Sequence, residues 1–173
     1  MNKVSKKIEP YILPICLILA LSFTRLIAHP SNFTPVLALG IFSGFYFRNF
    51  ILSFFIVISE MFIGDLFLGF HNTMIFTYSS LAVAVLIGLF LKNFNISEVI
   101  LSGLTSSIAF FVVTNFGACL TLDMYEKNFT GLIQSYVLAI PFFHNTLLST
   151  FLYLFLIKII LKLALNKKVA VNN

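Results

Sequence analysis

The residues able to do chemistry are few, and they gather at corresponding ends of long apolar runs. Arg25 and Asp65 are ionisable groups inside such runs. A charge there is costly, so each is expected to face a protein interior and to find a partner. They form the natural pair, either as a clamp between two helices or as groups open to a ligand. Glu60 lies five residues before Asp65, on another part of the helix face, and is expected to be protonated or part of a relay. His29, His71 and His144 fall at the same end of their runs. Imidazoles can ligate transition metals or exchange hydrogen bonds near neutral pH. No single segment shows metal-ligand spacing, so neither a metal nor another cofactor is expected.

Amides and hydroxyls follow the same trend. Asn32 and Thr34 precede one apolar run, Asn72 and Thr73 precede another, and Tyr78 is one turn inside it. Thr114, Asn115 and Cys119 share the far half of a third run, with 115 and 119 on one face at i, i+4. Asn145 and Thr146 follow Pro141-Phe142-Phe143-His144. Arg25, Asn32, Asp65, His71, Tyr78, Asn115, His144 and Asn145 are therefore expected to line one substrate-binding pocket. Phe76, Phe116 and Phe142 are expected as its apolar walls, and His71 with the segment 123–136 as its closure. The other halves of the runs read as nearly pure Ile, Leu, Phe and Val, which predicts a dry bundle below a polar cavity.

Catalytic motifs are missing from the sequence. There is no G-x-x-x-x-G-K-[ST] loop and no H-E-x-x-H pair. Gly40-Ile41-Phe42-Ser43-Gly44 is not the G-x-S-x-G elbow of a hydrolase but a G-x-x-x-G, which permits close helix packing in a membrane. No catalytic residue is assigned, and the protein is not expected to be an enzyme.

The elements that must position these groups follow from composition. The 173 residues are 60% hydrophobic and 10% charged, with a mean hydropathy of +1.03. Soluble domains carry about 25% charged residues, and disorder needs low hydrophobicity with high net charge. The chain is thus expected to be all-α, a single transmembrane domain over 1–173, built as a polytopic bundle. A span needs roughly 20 apolar residues. Six are predicted, at about 11–28, 35–47, 50–70, 73–91, 98–122 and 139–165. The external segment 123–136 holds a short interfacial helix or connector.

Six spans place both termini on one side. Lys3, Lys6, Lys7, Arg48, Lys92, Lys158, Lys162, Lys167 and Lys168 fall on that side, against Arg25 and Lys127 on the other. Basic flanks mark the cytoplasm, so both termini are expected there, in the inner (plasma) membrane. The same placement explains the net charge of +5 without nucleic acid as a partner. Asn32, Asn95 and Asn128 begin N-x-[ST] sequons, one of them on the inside, so the sequons are read as chance.

Arg25…Asn32-Phe33-Thr34-Pro35-Val36…Ala38-Leu39, Asp65…Gly69-Phe70-His71-Asn72-Thr73-Met74, Thr114-Asn115-Phe116-Gly117 and Ala139-Ile140-Pro141-Phe142-Phe143-His144-Asn145-Thr146 cover most of the chain. This pattern resembles a group of small bacterial six-span membrane proteins described only as candidate transport proteins. In size and span count the chain is also similar to the substrate-binding S components of energy-coupling factor transporters. That likeness implies a vitamin-sized ligand under external loops, and a coupling transmembrane subunit with ATPases as partner. Many S components carry two alanines in an A-x-x-x-A-like motif of the first span. Ile15–Thr24 lacks them, so a solitary carrier stays open. Cobalamin is the first ligand expected, since a wide aromatic cavity with histidines suits a corrinoid. Two other classes remain: a non-catalytic scaffold subunit of cell-wall elongation, and an intramembrane enzyme using Glu60, Asp65 or His144.

Overall fold

The computed structural model describes the backbone of residues 3–171 and the side chains of 12, 14–24 and 27–163. Among the described residues there are seven α-helices and no strand. They are α1 Lys3–Ser22, α2 Val36–Phe47, α3 Phe50–Leu68, α4 Met74–Phe90, α5 Ile96–Thr121, α6 Phe129–Leu138 and α7 Ile140–Val171. Among the described residues, three helices are long and apolar enough to cross a membrane: α3, α5 and the Ile140–Leu163 part of α7. α2, α4 and α6 are shorter apolar helices.

The first helix ends earlier than the apolar run does. Ser22 and Thr24 donate their hydroxyls to the carbonyls of Ile18 and Leu21, at 2.8 and 2.6 Å. Such back-bonding competes with helix continuation. A 3-10 turn over Phe23–Leu26 follows, and Ile27 is extended. α7 errs in the other direction, running six residues past the expected 165.

Asparagines start three of the helices. The side chains of Asn49, Asn95 and Asn128 accept from the backbone N–H of Leu52, Glu98 and Gly131 at 3.0, 2.8 and 2.9 Å. Each satisfies an N–H that a helix start leaves without an intrahelical partner. Two of the sequons are thus helix caps. Glu98, three residues after the Asn95 cap, reaches back past it and takes the N–H groups of Lys92, Asn93 and Phe94 on one carboxylate oxygen at 2.9–3.2 Å.

α2 is the axis of the fold, buried continuously from Val36 to Gly44 and packed against α3, α4, α5 and α7. A helix apolar all round belongs in such a position. Its Gly40 and Gly44 face Ala84 and Val85 of α4, while Gly88 of α4 faces the Ile41 backbone. The G-x-x-x-G therefore serves packing inside the bundle.

The buried layer is not purely Ile, Leu, Phe and Val. Ser43, Ser53, Ser80, Ser102, Ser106 and Ser107 are all at most 1% exposed. The expectation of a dry bundle below the polar end is corrected here. Small residues recur at i, i+4 (Ser102 and Ser106, Gly103 and Ser107), where close helix approach leaves no room for branched side chains.

Arg48 closes the end of the bundle where α2 meets α3. It adopts a left-handed φ of 53°. Its guanidinium donates to the carbonyls of Leu89, Leu91 and Lys92 and lies 4.7 Å from the Phe45 ring centroid. Lys158 donates to the Phe94 carbonyl at the same end. Arg48→Gly keeps the backbone unstrained but removes these donors at the end of α4. A loss of about 1–2 kcal/mol is expected in thermal unfolding of the detergent-solubilised protein.

Candidate functional site

At the end opposite Arg48, the helices splay around a cavity of about 460 Å³. Its lining comes from the 27–35 loop, the last turns of α3, the first turns of α4, the second half of α5 and the start of α7. Asn32, Asp65, His71 and Asn115 all line it. Four of the eight residues expected at one pocket therefore share one cavity.

Two more of the eight position it. Tyr78 donates its hydroxyl to Asp65 Oδ2 at 2.8 Å, fixing a carboxylate that is only 3% exposed. Asn145 donates through Nδ2 to the Ser31 carbonyl at 3.0 Å, and Ser149 bonds the Asn32 carbonyl at 3.4 Å. Together they tie the 27–35 loop to α7. Asn32 itself holds a φ of 62°, a left-handed geometry that asparagine tolerates better than most residues.

His144 does not line this cavity and is exposed. It lies one position before Asn145 and two before Thr146, which turn toward the loop and the cavity, so α7 carries it round to another face. The side chain of Arg25 lies outside the described residues, and with it the expected Arg25–Asp65 contact. The expected walls also differ. Neither Phe76 nor Phe116 lines the cavity. The two rings pack against each other, with centroids 6.3 Å apart. Phe142 borders only a side pocket of about 40 Å³ beside Asn32, Thr114 and Asn115. Apolar walls come instead from Val36, Leu37, Met61, Leu68, Leu81 and Leu122, and Phe110 is the single aromatic among the described lining.

The segment 123–136 is not a lid in this arrangement. α6 packs against α5 and α7, and none of its residues lines the cavity. Tyr136 donates to the Val112 carbonyl at 2.9 Å, and burial pushes its phenol above the ordinary tyrosine value, so it remains a donor. Phe129, Ile133 and Val137, spaced four apart, leave one exposed apolar stripe on this helix.

Hydroxyls are the part of the site that sequence reading undervalued. Thr77, Thr146, Ser149 and Thr150 line the cavity together with His29, Thr34, Thr73 and Thr114. The signal was present as Thr73 with Thr77 and Thr146 with Thr150, each i, i+4 on one helix face. Thr77, Thr114 and Thr146 each donate to the carbonyl four residues back, at 3.2, 2.7 and 3.0 Å.

The acid–base alternative needs Glu60, Asp65 and His144 in one place. They are not: Glu60 borders a separate apolar hollow of about 530 Å³ between α1 and α3, lined by Ile15, Ile18, Phe55, Ile63 and Phe67 among others. Five residues advance a helix by about 140° beyond one full turn, which sends Glu60 and Asp65 to different flanks of α3. No cluster of three or more His, Cys, Asp or Glu able to hold a metal ion occurs among the described residues. The cavity offers directed hydrogen bonds over an apolar floor, as small-ligand sites do.

No curated protein and no solved structure matches the chain. Residues 5–171 match one family throughout, and the protein belongs to DUF6580, a family of unknown function.

Proposed function

We propose that the protein is a six-span membrane protein that binds a small organic micronutrient in an outward-facing pocket and serves its uptake. α1, α2, α3, α4, α5 and α7 are the spans in this reading, α6 lies at the outer interface, and both termini are cytoplasmic. The nine-to-two distribution of basic residues between the two sides supports that orientation. The cavity then opens outward, because the 27–35 loop and the α3–α4 connection that border it fall on the sparsely basic side.

The single observation that carries the binding reading is the convergence of Asn32, Asp65, His71 and Asn115, from four separate segments, on one cavity. Polar side chains that served only helix contacts would be scattered among interfaces. A volume near 460 Å³ lies within the range of about 300–1,000 Å³ typical of small-ligand sites. It suits a compound of one or two rings. Cobalamin, the first ligand expected, would leave most of its corrin outside such a cavity, so the proposal moves to a smaller compound. Energy for uptake would come from a coupling subunit with ATPases, or release inward would be passive.

The experiment is to purify the full chain in mild detergent and identify small molecules released on denaturation by mass spectrometry. One organic compound, recurring in amounts approaching one per chain, is expected. Recovery of only lipid and detergent from repeated preparations would contradict the reading.

A further inference from the structure

We infer that Phe94 is a removable plug at the inner end of the bundle, the seal that must withdraw before a ligand held in the cavity can leave toward the cytoplasm. This rests on the uptake reading above and adds to it the element that closes the far side.

Phe94 lies in the short connection between α4 and α5 and holds a φ of 49°. The left-handed region is a rare place for a bulky residue, and such strain persists only where the surroundings impose it. Three charged side chains impose it here. Glu98 accepts the backbone N–H groups of Lys92, Asn93 and Phe94. Arg48 donates to the carbonyls of Leu91 and Lys92. Lys158 donates to the Phe94 carbonyl and sets its ammonium 5.9 Å from the centroid of the ring. The ring is thereby driven inward: Phe94 is 5% exposed, while Asn93 and Asn95 on either side are exposed. It stacks on Phe45 with centroids 4.9 Å apart and meets Phe42 at 6.2 Å. Glycine would serve a plain connector at this φ, whereas the phenyl ring adds a wedge between helices.

The position of the wedge gives it a role. Phe42 and Phe45 belong to α2 and Lys158 to α7, so Phe94 clamps these two helices together. The same two helices line the cavity with Val36, Leu37, Thr146 and Thr150. Leu37 to Phe42 and Thr150 to Lys158 are separations of about 8 and 12 Å along the helix axes. At the outer end, Asn145 and Ser149 of α7 bond the carbonyls of Ser31 and Asn32, in the loop that enters α2. α2 and α7 are therefore fastened on both sides of the cavity. Opening inward must part the fastening at Phe94, and rocking two helices about a central site closes one end as the other opens. Withdrawal of Phe94 also relieves its backbone strain, which lowers the cost of that opening.

The test reads both ends of the bundle. In the full chain with Cys16 and Cys119 replaced by alanine, a single reporter is introduced by Thr114→Cys in the cavity or by Ser102→Cys, a buried position in the half of α5 nearer Phe94. Each protein is reconstituted in lipid nanodiscs, where both faces meet solvent, and its modification by a charged maleimide is followed by mass spectrometry. With Phe94 in place, Thr114→Cys should react and Ser102→Cys should resist. Phe94→Gly removes the wedge and suits the left-handed backbone. It should speed modification of Ser102→Cys about tenfold or more and slow that of Thr114→Cys about threefold or more, as the population moves to the inward-open form. Lys158→Met keeps the side-chain length but loses the bond to the Phe94 carbonyl. It should move both rates in the same directions by smaller factors, and it decides the matter if Phe94→Gly fails to fold. A ring that served packing alone would give a different result, since a loosened fold speeds both reporters. Faster modification of both, of Ser102→Cys alone, or of neither would overturn the plug and leave the binding role standing. An unreactive Thr114→Cys with Phe94 in place would contradict the open cavity, and the uptake reading with it.

Discussion

Replacing Gly88 by leucine is expected to force α4 away from α2 and to cost about 3 kcal/mol or more of stability. A Cβ at Gly88 would lie 2.1 Å from the Ile41 carbonyl oxygen, and one at Gly44 would lie 2.2 Å from the Val85 carbonyl oxygen. Both obstacles are backbone, which cannot swing aside as a side chain can. α2 contacts α3, α5 and α7 as well as α4, so a displaced α2 disturbs the whole bundle and, with Val36 and Leu37, the cavity wall. The expected result is loss of the monodisperse species in size-exclusion chromatography, or a large fall in the unfolding temperature. Ile75→Ala, at a side chain 76% exposed, should stay within about 0.5 kcal/mol of the parent. A wild-type melting temperature for Gly88→Leu would mean that the two helices are not packed backbone to backbone.

The second large effect is on binding. Thr114 borders both the main cavity and the small side pocket, and its neighbours there include Phe110, Asn115 and Thr146. Thr114→Trp would put an indole into that shared space. Loss of ligand binding by about a hundredfold or more is expected, since the site can no longer admit the ring and its hydrogen-bonding edge together. The unfolding temperature of the ligand-free variant should change little, because Thr114 is only half-buried and the indole has an existing space to enter. Undiminished co-purification of the same compound with Thr114→Trp would place the binding site elsewhere.

The helices were legible because their signals are local. Asn49, Asn95 and Asn128 mark starts, and Arg48 in the left-handed region and Gly69 at a φ of 99° mark ends. Apolar length then assigns most residues between these points. Depth along the chain was legible as well: residues placed at one end of their runs, such as Asn32, Asp65 and Asn115, meet at one end of the bundle. Rotation about each helix axis was not. It decides that Thr146 faces the cavity while His144 faces away, and that Phe110 rather than Phe116 supplies the aromatic wall. In a bilayer both faces of a helix are apolar, so the contrast that fixes orientation in a soluble helix is weak. α5 illustrates this, since its buried positions are marked by Ser102, Gly103, Ser106 and Ser107 rather than by larger hydrophobes. Small size, not hydrophobicity, was the signal for its inner face.

An outward-opening cavity can be tested most directly by cysteine labelling in intact cells. Cys16 and Cys119 are replaced by alanine, and a single cysteine is introduced by Thr114→Cys in the cavity or by Lys92→Cys, at an exposed position beside Arg48 at the opposite end. A membrane-impermeant maleimide is added from outside. The cavity cysteine should be modified, and the compound that co-purifies with the wild-type protein should protect it, while Lys92→Cys stays unmodified until the membrane is permeabilised. Failure to label Thr114→Cys until the membrane is permeabilised, or labelling that no co-purified compound slows, would contradict an outward-facing binding site.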